Sequence, residues 1–306
     1  MNPIRIPRRR VDGVLLLDKP AGISSNAALQ RAKRALNAQK AGHTGTLDPL
    51  ASGLLPLCFG EATKFAQTLL DAGKRYTATV RFGATTATGD AEGPVTATFP
   101  VTFTDVELHA ALRGFEGVQE QIPPAYSALK FEGRAHYEYA RAGVAVPRPP
   151  RQITIHALRL VSWQPPDAVL EVECSKGTYI RVLAEDLGHA LGSGAHLAAL
   201  RRTATGGFAL AEAIALPDFE AAAPDARDRV LLPVSVLVAT MVRLSVEGAA
   251  GAAFRQGQTV DGARLEDGPC AVFCGTELLG IADVVGGRAQ PRRVIPGPDV
   301  KDAQPT

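Results

Sequence analysis

The sequence predicts an α+β fold that ends in a small β-rich module, and three observations support this prediction. Apolar and polar residues alternate over residues 74–82, as they do in a half-buried strand. Apolar residues recur at helical spacing over 180–191, as they do on the buried face of an amphipathic helix. From residue 242 to residue 294, short apolar runs are separated by turn residues, a pattern typical of small β-rich modules.

The N-terminal elements can be predicted in order. Val14–Leu17 is a continuous apolar run that stops at a proline–glycine turn, so we expect a buried strand there. A serine pair at 24–25 offers a helix N-cap, and residues 26–37 have helical composition. Residues 42–53 are rich in glycine and hydroxyl side chains, which predicts a loop, and they lead into the apolar segment 54–59.

The rest of the chain alternates between the two kinds of element before the module begins. The predicted elements are a helix over 61–70, strands over 74–82 and 95–99 with a loop over 84–94 between them, a helix over 105–113 capped by Thr104, strands over 153–161 and 168–174, a helix from 180 that ends at Gly192 and Gly194, and a return strand within 195–208. The acidic, alanine-rich segment 218–228 predicts a hinge before the module.

One long segment fits neither element type. Residues 121–130 hold two prolines, which exclude a helix, and residues 131–151 are basic, aromatic and interrupted by glycine and proline. Long excursions of this kind in a compact domain tend to carry function. We therefore expect a functional excursion from the sheet.

Length and composition exclude several classes of protein. The 306 residues are 46% hydrophobic, enough for one large domain or a large and a small one. Four scattered cysteines are too few for a disulfide framework, and Cys270 and Cys274 lack a matching pair for zinc. No apolar signal sequence opens the chain, and the apolar run 230–242 is short and contains Pro233. We therefore expect a cytoplasmic protein that does not cross a membrane.

The net charge of +2 hides an uneven distribution. Basic residues concentrate in three stretches, whereas acidic residues gather at 218–228 and 261–267. The basic stretches contain Arg5, Arg8, Arg9 and Arg10; Arg31, Lys33, Arg34 and Lys40; and Lys130, Arg134, Arg141, Arg148, Arg151 and Arg159. Such clustering favours a surface that meets phosphates, although any single run is also compatible with a solvated helix face.

The glycine-rich loop contains the first candidate for catalysis, Asp48. A carboxylate on a rigid loop can act as a nucleophile or a base. The alternative is that Asp48 forms an Asx-turn before Pro49 and that His43 is a surface residue. No phosphate-binding Gly-Lys-Ser/Thr loop and no Gly-x-Ser-x-Gly motif occurs, and the Thr-Gly-Thr triplet at 44–46 lacks the preceding aspartate of phosphoryl-transfer pumps.

Two distant residues could complete a site around Asp48. Arg181 follows a Gly-Thr-Tyr turn at a predicted helix start, and a nearby guanidinium would lower the pKa of Asp48 and orient its carboxylate. Tyr76 lies on the apolar face of its strand and could stack on a planar substrate. The alternatives are that Tyr76 is a core residue and that Arg181 forms a surface ion pair.

Five blocks in register give a more specific indication. They are Asp18–Ser25, Gly42–Gly53, Lys74–Tyr76, Pro123–Lys130 and Cys174–Arg181. In this order the blocks resemble those of the bacterial tRNA pseudouridine synthases of the TruB family, over most of residues 11–210. Members of that family isomerise the uridine at the conventional tRNA position 55, in the T-loop.

The resemblance implies an architecture. It implies a pseudouridine synthase catalytic domain over residues 1–230, with a mixed, mostly antiparallel central sheet flanked by helices and loops. An insertion at about 124–152 would clamp the T-arm and become ordered when RNA binds. A PUA-like RNA-binding module would occupy 240–298, followed by a tail over 299–306.

The resemblance also implies roles for individual residues. Asp48 is expected to be the catalytic aspartate. The substrate-binding residues are expected to be His43, which helps to displace the uridine from its stack; Tyr76, which stacks on the base; Tyr179 and Leu200, which line the pocket; Arg181, which pairs with Asp48; and Lys64, a basic residue beyond the loop.

The implied chemistry requires little besides these side chains. Pseudouridine formation breaks the C1′–N bond, turns the uracil and rejoins it through C5, so we expect no metal and no cofactor. The uridine must leave its stack at a cost of a few kcal/mol, of which aromatic stacking on Tyr76 would offset about 1–3 kcal/mol. The expected partner is tRNA, bound by a monomer without an obligate protein partner. Two alternatives are a non-catalytic tRNA-folding protein and a pseudouridine synthase with another RNA as its main target.

Overall fold

The computed structural model describes residues 7–297. Arg5 and the predicted tail over 299–306 lie outside the described residues. Within the described range, no helix has the length and apolar character needed to cross a bilayer. The N-terminal boundary of the catalytic domain and the C-terminal boundary of the module stay predictions.

Strands make up most of the regular structure. In chain order they are β1 (Gly13–Lys19), β2 (Ala41–His43), β3 (Ser52–Phe59), β4 (Lys74–Phe82), β5 (Ala84–Thr86), β6 (Val95–Thr98), β7 (Gly117–Gln121), β8 (Lys130–Phe131), β9 (Arg134–Ala135), β10 (Arg151–Gln164), β11 (Asp167–Cys174), β12 (Ala195–Thr205), β13 (Phe208–Ala209), β14 (Ile214–Ala215), β15 (Val242–Ser245), β16 (Val260–Asp261), β17 (Gly268–Cys274), β18 (Glu277–Val285) and β19 (Arg288–Val294).

Helices are short and pack around the strands. They are α1 (Ser25–Ala35), α2 (Gln67–Leu70), α3 (Asp105–Gly114), α4 (His136–Arg141), α5 (Ile180–Ala190), α6 (Leu216–Ala221), α7 (Pro224–Arg229) and α8 (Gly248–Arg255), with 3₁₀ turns at Gly60–Lys64, Leu210–Glu212 and Val234–Val238. Two predicted caps are confirmed. The Ser24 hydroxyl accepts the Ala27 N–H at the start of α1, and Thr104 forms a capping box with Glu107 at the start of α3.

The large sheet has the strand order β14-β1-β3-β12-β4-β11-β10-β7, with β2 on β3 and β13 on β12. Parallel pairing joins β1 to β14 and β3 to β12, and the other pairs in this sheet are antiparallel. The α+β class with a mixed, mostly antiparallel sheet is thereby confirmed. A second sheet, β15-β17-β18-β19-β16, forms the C-terminal β-rich module.

The apolar run in β1 is buried on both faces. Leu15 and Leu17 belong to the core between the large sheet and its helices, whereas Val14 and Leu16 belong to a second cluster on the opposite face. That second cluster includes residues of the C-terminal module such as Phe273. The module therefore covers the back of β1 and β3, which explains why these strands lack polar alternation.

Several predicted elements differ from the structure. The helix over 61–70 is wrong: the segment forms a 3₁₀ turn and then α2, and the two short pieces direct Ala62 and Leu69 into the second cluster. Gly42 and His43 lie in β2, not in a loop, because they pair with β3. The loop over 84–94 contains β5, and β7 was missed.

The predicted hinge is also wrong. Residues 218–228 run from α6 into α7 with Ala222 and Ala223 between them, and each helix has a proline in its first turn. Phe219 is fully buried, and the Arg227 guanidinium donates to the Ala35 carbonyl at 2.7 Å. The segment is therefore fastened to α1 and does not act as a free linker.

Candidate active site

The loop that carries Asp48 is fastened by hydrogen bonds on both sides of the aspartate. The Ser25 hydroxyl donates to the Leu47 carbonyl at 2.9 Å and accepts the Leu47 N–H at 2.8 Å. On the other side, the Gly22 N–H donates to the Pro49 carbonyl at 2.7 Å. The turn before α1 thus holds the backbone that presents the Asp48 carboxylate.

Two glycines allow this loop to pack closely on β12. Gly53 has a φ of +101°, and a Cβ there would lie 2.3 Å from the Arg202 carbonyl oxygen, so only glycine fits. Gly45, with a φ of +121°, lies over the Arg202 side chain. Both glycines therefore allow the loop to lie directly against β12.

Arg181 links Asp48 to a second carboxylate. Its Nη2 lies 3.0 Å from Asp48 Oδ2, and its Nη1 lies 3.5 Å from Asp90 Oδ2. The same guanidinium donates to the carbonyls of Thr88 at 3.0 Å and Tyr126 at 2.7 Å. Arg181 is only 5% exposed, so four acceptors fix its orientation in a site with little water.

Burial and the guanidinium act on the pKa of Asp48 in opposite directions. Desolvation raises the pKa of Asp48 above its ordinary value and is the larger effect, while Arg181 lowers it. The Asp90 carboxylate adds to the increase by like-charge repulsion. The Asp48 side chain keeps 39% of its surface exposed, so the carboxylate reaches the cavity while its base is packed.

Asp48 opens into a cavity of about 350 Å³ between the loop, β4, β12 and the start of α5. Tyr76, Tyr179 and Leu200 line it together with Arg181. Tyr76 is 8% exposed, and burial raises the pKa of its phenol, so the hydroxyl is neutral at ordinary pH. The cavity thus combines an aromatic wall, an apolar wall and one carboxylate.

Tyr179 is held by a reciprocal pair of hydrogen bonds. The Gln121 side chain accepts the Tyr179 N–H at 2.8 Å and donates to the Tyr179 carbonyl at 3.1 Å. Gln121 is 4% exposed and ends β7, the strand before the excursion. This pair ties the start of α5, and with it Arg181, to the base of the excursion.

A second, wider cavity of about 840 Å³ meets the first one at Asp48. His43, Asp90 and Glu92 line it, together with Tyr137 and Arg141 from the excursion. Burial lowers the pKa of His43, which keeps its imidazole neutral at ordinary pH. His43 therefore faces the approach to Asp48 and does not line the pocket that contains Tyr76.

Lys64 lies apart from both cavities. Its ammonium pairs with Glu61 at 2.5 Å and donates to the Val294 carbonyl at 2.9 Å. Lys64 therefore connects the 3₁₀ turn after β3 to the last strand of the C-terminal module. The structure brings together the other six residues proposed for the site: Asp48, Tyr76, Tyr179, Arg181 and Leu200 around the smaller cavity, and His43 beside Asp48.

Four charged residues of the site were missed from the sequence. Asp90 is 3% exposed and lies in a segment that was predicted to be a loop. Lys19, Lys74 and Arg202 are also buried, with exposed fractions of 0%, 8% and 1%. Burial lowers the pKa of Lys19 and of Lys74 to about 8. A charged residue in register with the buried face of a strand, as in β1, β4 and β12, is the signal that could have identified the three cations.

Two family models match this architecture. The model described as TruB family pseudouridylate synthase (N terminal domain) matches residues 33–180. The model described as tRNA pseudouridylate synthase B C-terminal domain matches residues 181–239. The chain belongs to the TruB family. The predicted resemblance is thereby confirmed, and the protein is a pseudouridine synthase.

Close relatives support the same assignment over nearly the full length. A tRNA pseudouridine synthase B of Thiobacillus denitrificans is 56% identical over 289 residues, which cover 94% of this chain and 97% of that protein. One of Azoarcus is 53% identical over 291 residues, covering 95% and 97%.

A solved structure has the same fold. The crystal structure of a Cbf5–Nop10–Gar1 complex contains a chain with a TM-score of 0.74 and 27% identity, covering 93% of this chain and 85% of that one.

Proposed function

We propose that this TruB-family enzyme converts uridine 55 in the T-loop of tRNA to pseudouridine, with Asp48 as the catalytic residue. The observation that carries the proposal is the Asp48–Arg181 pair at the opening of a base-sized cavity walled by Tyr76 and Leu200. The relatives named above are tRNA pseudouridine synthases B at 56% and 53% identity, which supports tRNA as the substrate.

The cavity suits a base that has left its stack. Flipping costs a few kcal/mol, and stacking on the Tyr76 ring would offset about 1–3 kcal/mol of it. Leu200 would close the other side, and the backbone around Tyr179, fixed by Gln121, would offer hydrogen-bonding groups to the uracil edge. His43 would support the flipped nucleotide from the wider cavity.

Asp48 would then act on the sugar. Its ionised carboxylate, oriented by Arg181, either attacks C1′ or removes the C2′ proton to give a glycal. In both routes the electron pair of the C1′–N1 bond stays on the uracil, which turns and bonds to C1′ through C5, and C5 loses its proton. No atom of the substrate is lost other than protons exchanged with solvent, so the reaction is an internal rearrangement of one nucleotide.

RNA outside the pocket would be held by two regions. The insertion over 124–152 contributes Tyr126 and Arg141 to the walls of the wider cavity, where it would clamp the T-arm. The β-rich module over 240–298, proposed as PUA-like, would contact a more distant part of the tRNA. Lys64, beside Val294, would contribute at the junction between core and module rather than in the pocket.

The decisive test is Asp48→Asn, assayed on a tRNA transcript by nucleoside analysis and by mapping of the modified position. We expect pseudouridine at position 55 with the unaltered enzyme, a loss of about 10³-fold or more with the variant, and tRNA affinity within about threefold. Asp167→Asn is the matched control, because Asp167 is paired with Arg81 at the exposed end of β11.

The alternatives give different results in the same assay. Retained isomerisation in Asp48→Asn would reject the catalytic assignment. Tight tRNA binding without any pseudouridine from the unaltered protein would favour a tRNA-folding protein. Pseudouridine that persists at position 55 in cells lacking the gene, with loss at a site in another RNA, would favour a different main target.

A further inference from the structure

Arg202 is an unusual residue of the pocket because its buried charge lacks an anionic partner in the described part of the chain. It is 1% exposed, and it lines the cavity together with Tyr76 and Leu200. No acidic side chain within residues 7–297 forms an ion pair with it. Its strand neighbour Arg201, in contrast, faces the other side of the sheet and pairs with Asp18 at 2.6 Å.

One end of the Arg202 side chain is fixed, and the other end retains an unused donor. Nε donates to the Leu54 carbonyl on β3 at 2.6 Å. Nη1 lies 3.5 Å from the position of a Cβ on Gly45, directly under the catalytic loop. Nη2 is buried, and no atom of residues 7–297 forms a hydrogen bond with it. A buried donor without an acceptor is unfavourable, so this group is available to an acceptor.

The sheet register places Tyr76 opposite Arg202, and the phenol oxygen of Tyr76 is an acceptor. Tyr76 on β4 and Arg202 on β12 are direct cross-strand partners, so their side chains leave the sheet on the same face. The guanidinium charge works against the effect of burial on the pKa of the Tyr76 phenol. Leu200, two residues before Arg202, lines the same cavity.

The chemistry of the Arg202 guanidinium and the Tyr76 phenol constrains the direction of the phenolic proton. A guanidinium has only N–H donors, whereas a phenol has one donor and an acceptor oxygen. When Arg202 donates to the Tyr76 oxygen, the phenolic proton must point elsewhere. Tyr76 lines the cavity, so the cavity offers a place for this proton. The Tyr76 O–H is then directed at whatever occupies the cavity.

We propose that Arg202 is a positioning residue that turns the Tyr76 hydroxyl into a donor toward the base in the pocket. This inference rests on the proposed function, because it needs a flipped uridine in the cavity. During the reaction the uracil carries the electron pair of the broken C1′–N1 bond, and a directed O–H together with a nearby positive charge stabilises that anion. Arg202 therefore acts through Tyr76 and does not touch the sugar.

The test is a double-mutant cycle between Arg202→Met and Tyr76→Phe, measured under single-turnover conditions with a tRNA transcript. We expect Arg202→Met to lower the rate at saturation about 100-fold with KM within about threefold. Arg202→Lys should be slower by about tenfold only, because it keeps a charge and a donor. The double variant should be no slower than Tyr76→Phe within about threefold, since the hydroxyl is already absent.

Arg201→Met is the matched control, since it removes an arginine from the same strand but from the opposite face, and it should keep the rate within about threefold. If Arg202 only supported the fold, its removal would slow Tyr76→Phe as much as the unaltered enzyme, and equal slowing in both backgrounds overturns the proposal. An unaltered enzyme that makes no pseudouridine would instead refute the proposed function.

A second measurement covers the case in which Arg202→Met folds poorly. Alkaline absorbance titration of Arg202→Lys and Arg202→Gln, each compared with its Tyr76→Phe partner, isolates the titration of one phenol. Removal of the guanidinium should raise the pKa of Tyr76 in Arg202→Gln more than in Arg202→Lys. An unchanged titration in both variants overturns the proposal.

Discussion

The pocket floor, formed by Asp48, Asp90 and Arg181, and the excursion over 124–152 use arginine in opposite ways. In the floor, Arg181 is 5% exposed and bound to two carboxylates and two carbonyls. In the excursion, Arg134 and Arg141 are exposed and lie over the rings of Tyr139 and Tyr137, and Arg134 also pairs with Glu138 at 3.5 Å across its exposed surface. Buried arginine fixes geometry, whereas exposed arginine beside an aromatic ring remains available to a phosphate or a base.

A third basic region behaves differently from both. The N-terminal stretch and α1 resemble the excursion in sequence, yet Arg9 pairs with Asp228 and Arg31 pairs with Glu220. Two of the predicted phosphate-binding runs are thus partly neutralised by acids from the segment that was predicted to be a hinge. Clustered charge in a sequence shows where basic residues are, but not which of them remain unpaired.

The largest effect should come from Arg181→Met, which removes the fixed arginine of the floor. Asp90 would be left buried without a cation, and breaking a buried pair costs about 3–5 kcal/mol of stability. We expect the turnover rate to fall about 10²–10³-fold, measured by single-turnover kinetics below the melting temperature. Arg181→Lys is the control; an active Arg181→Met enzyme would show that Asp48 needs no orienting cation.

Desolvation of Asp48 should make both activity and stability depend on pH. The pKa of Asp48 is raised by burial, so the reactive carboxylate form should appear, and activity should rise, above the ordinary aspartate value of 3.8. The folded state holds this proton more tightly than the unfolded state. The stability that Asp48 contributes in its protonated form should therefore disappear as pH rises from 3.8 through the folded-state pKa.

Thermal unfolding of the unaltered enzyme and of Asp48→Asn across this pH range checks the sign. The difference in the free energy of unfolding should move in favour of Asp48→Asn as pH increases. A difference that moves the other way would mean that Arg181 outweighs desolvation.

A smaller effect is expected for the excursion. Arg134→Gln with Arg141→Gln should weaken tRNA binding about tenfold and should reduce the slope of log affinity against log salt by roughly 0.7–0.9 for each phosphate that is no longer neutralised. The rate at saturating tRNA should stay within about twofold. Fluorescence titrations at several salt concentrations measure the affinity and the slope, with Arg81→Gln as the control on an exposed, paired arginine. An unchanged slope would show that Arg134 and Arg141 do not contact phosphates of the tRNA.

The smallest effect concerns the N-terminal pair. Arg9 donates to Asp228 at 2.8 Å, and both side chains are about half exposed, at 44% and 42%. A double-mutant cycle with Arg9→Gln and Asp228→Asn should give a coupling energy of about 0.2–1 kcal/mol in urea unfolding. Neither variant should change tRNA affinity by more than about twofold. If either variant weakened tRNA binding as much as the excursion variant does, the N-terminal region would bind tRNA in the same way as the excursion.

The sequence by itself determined the local elements and indicated the residue that we propose to be catalytic. Periodicity predicted β4 with the bounds Lys74–Phe82, serine and threonine caps predicted the starts of α1 and α3, and five blocks in register pointed to Asp48 and Arg181. These signals are local or lie at short spacing along the chain, so they survive without knowledge of the fold.

Only the tertiary structure decided the partners. Asp90 reaches Arg181 because the segment after β5 pairs with β12 at Leu197, and Arg202 lies opposite Tyr76 because β12 pairs with β4 across more than a hundred residues. Long-range packing also places Lys64 beside Val294 and not in the pocket, and it pairs Arg9 with Asp228. Burial, ion pairing and the direction of a donor depend on groups distant in sequence, and these contacts are set by strand order rather than by local composition.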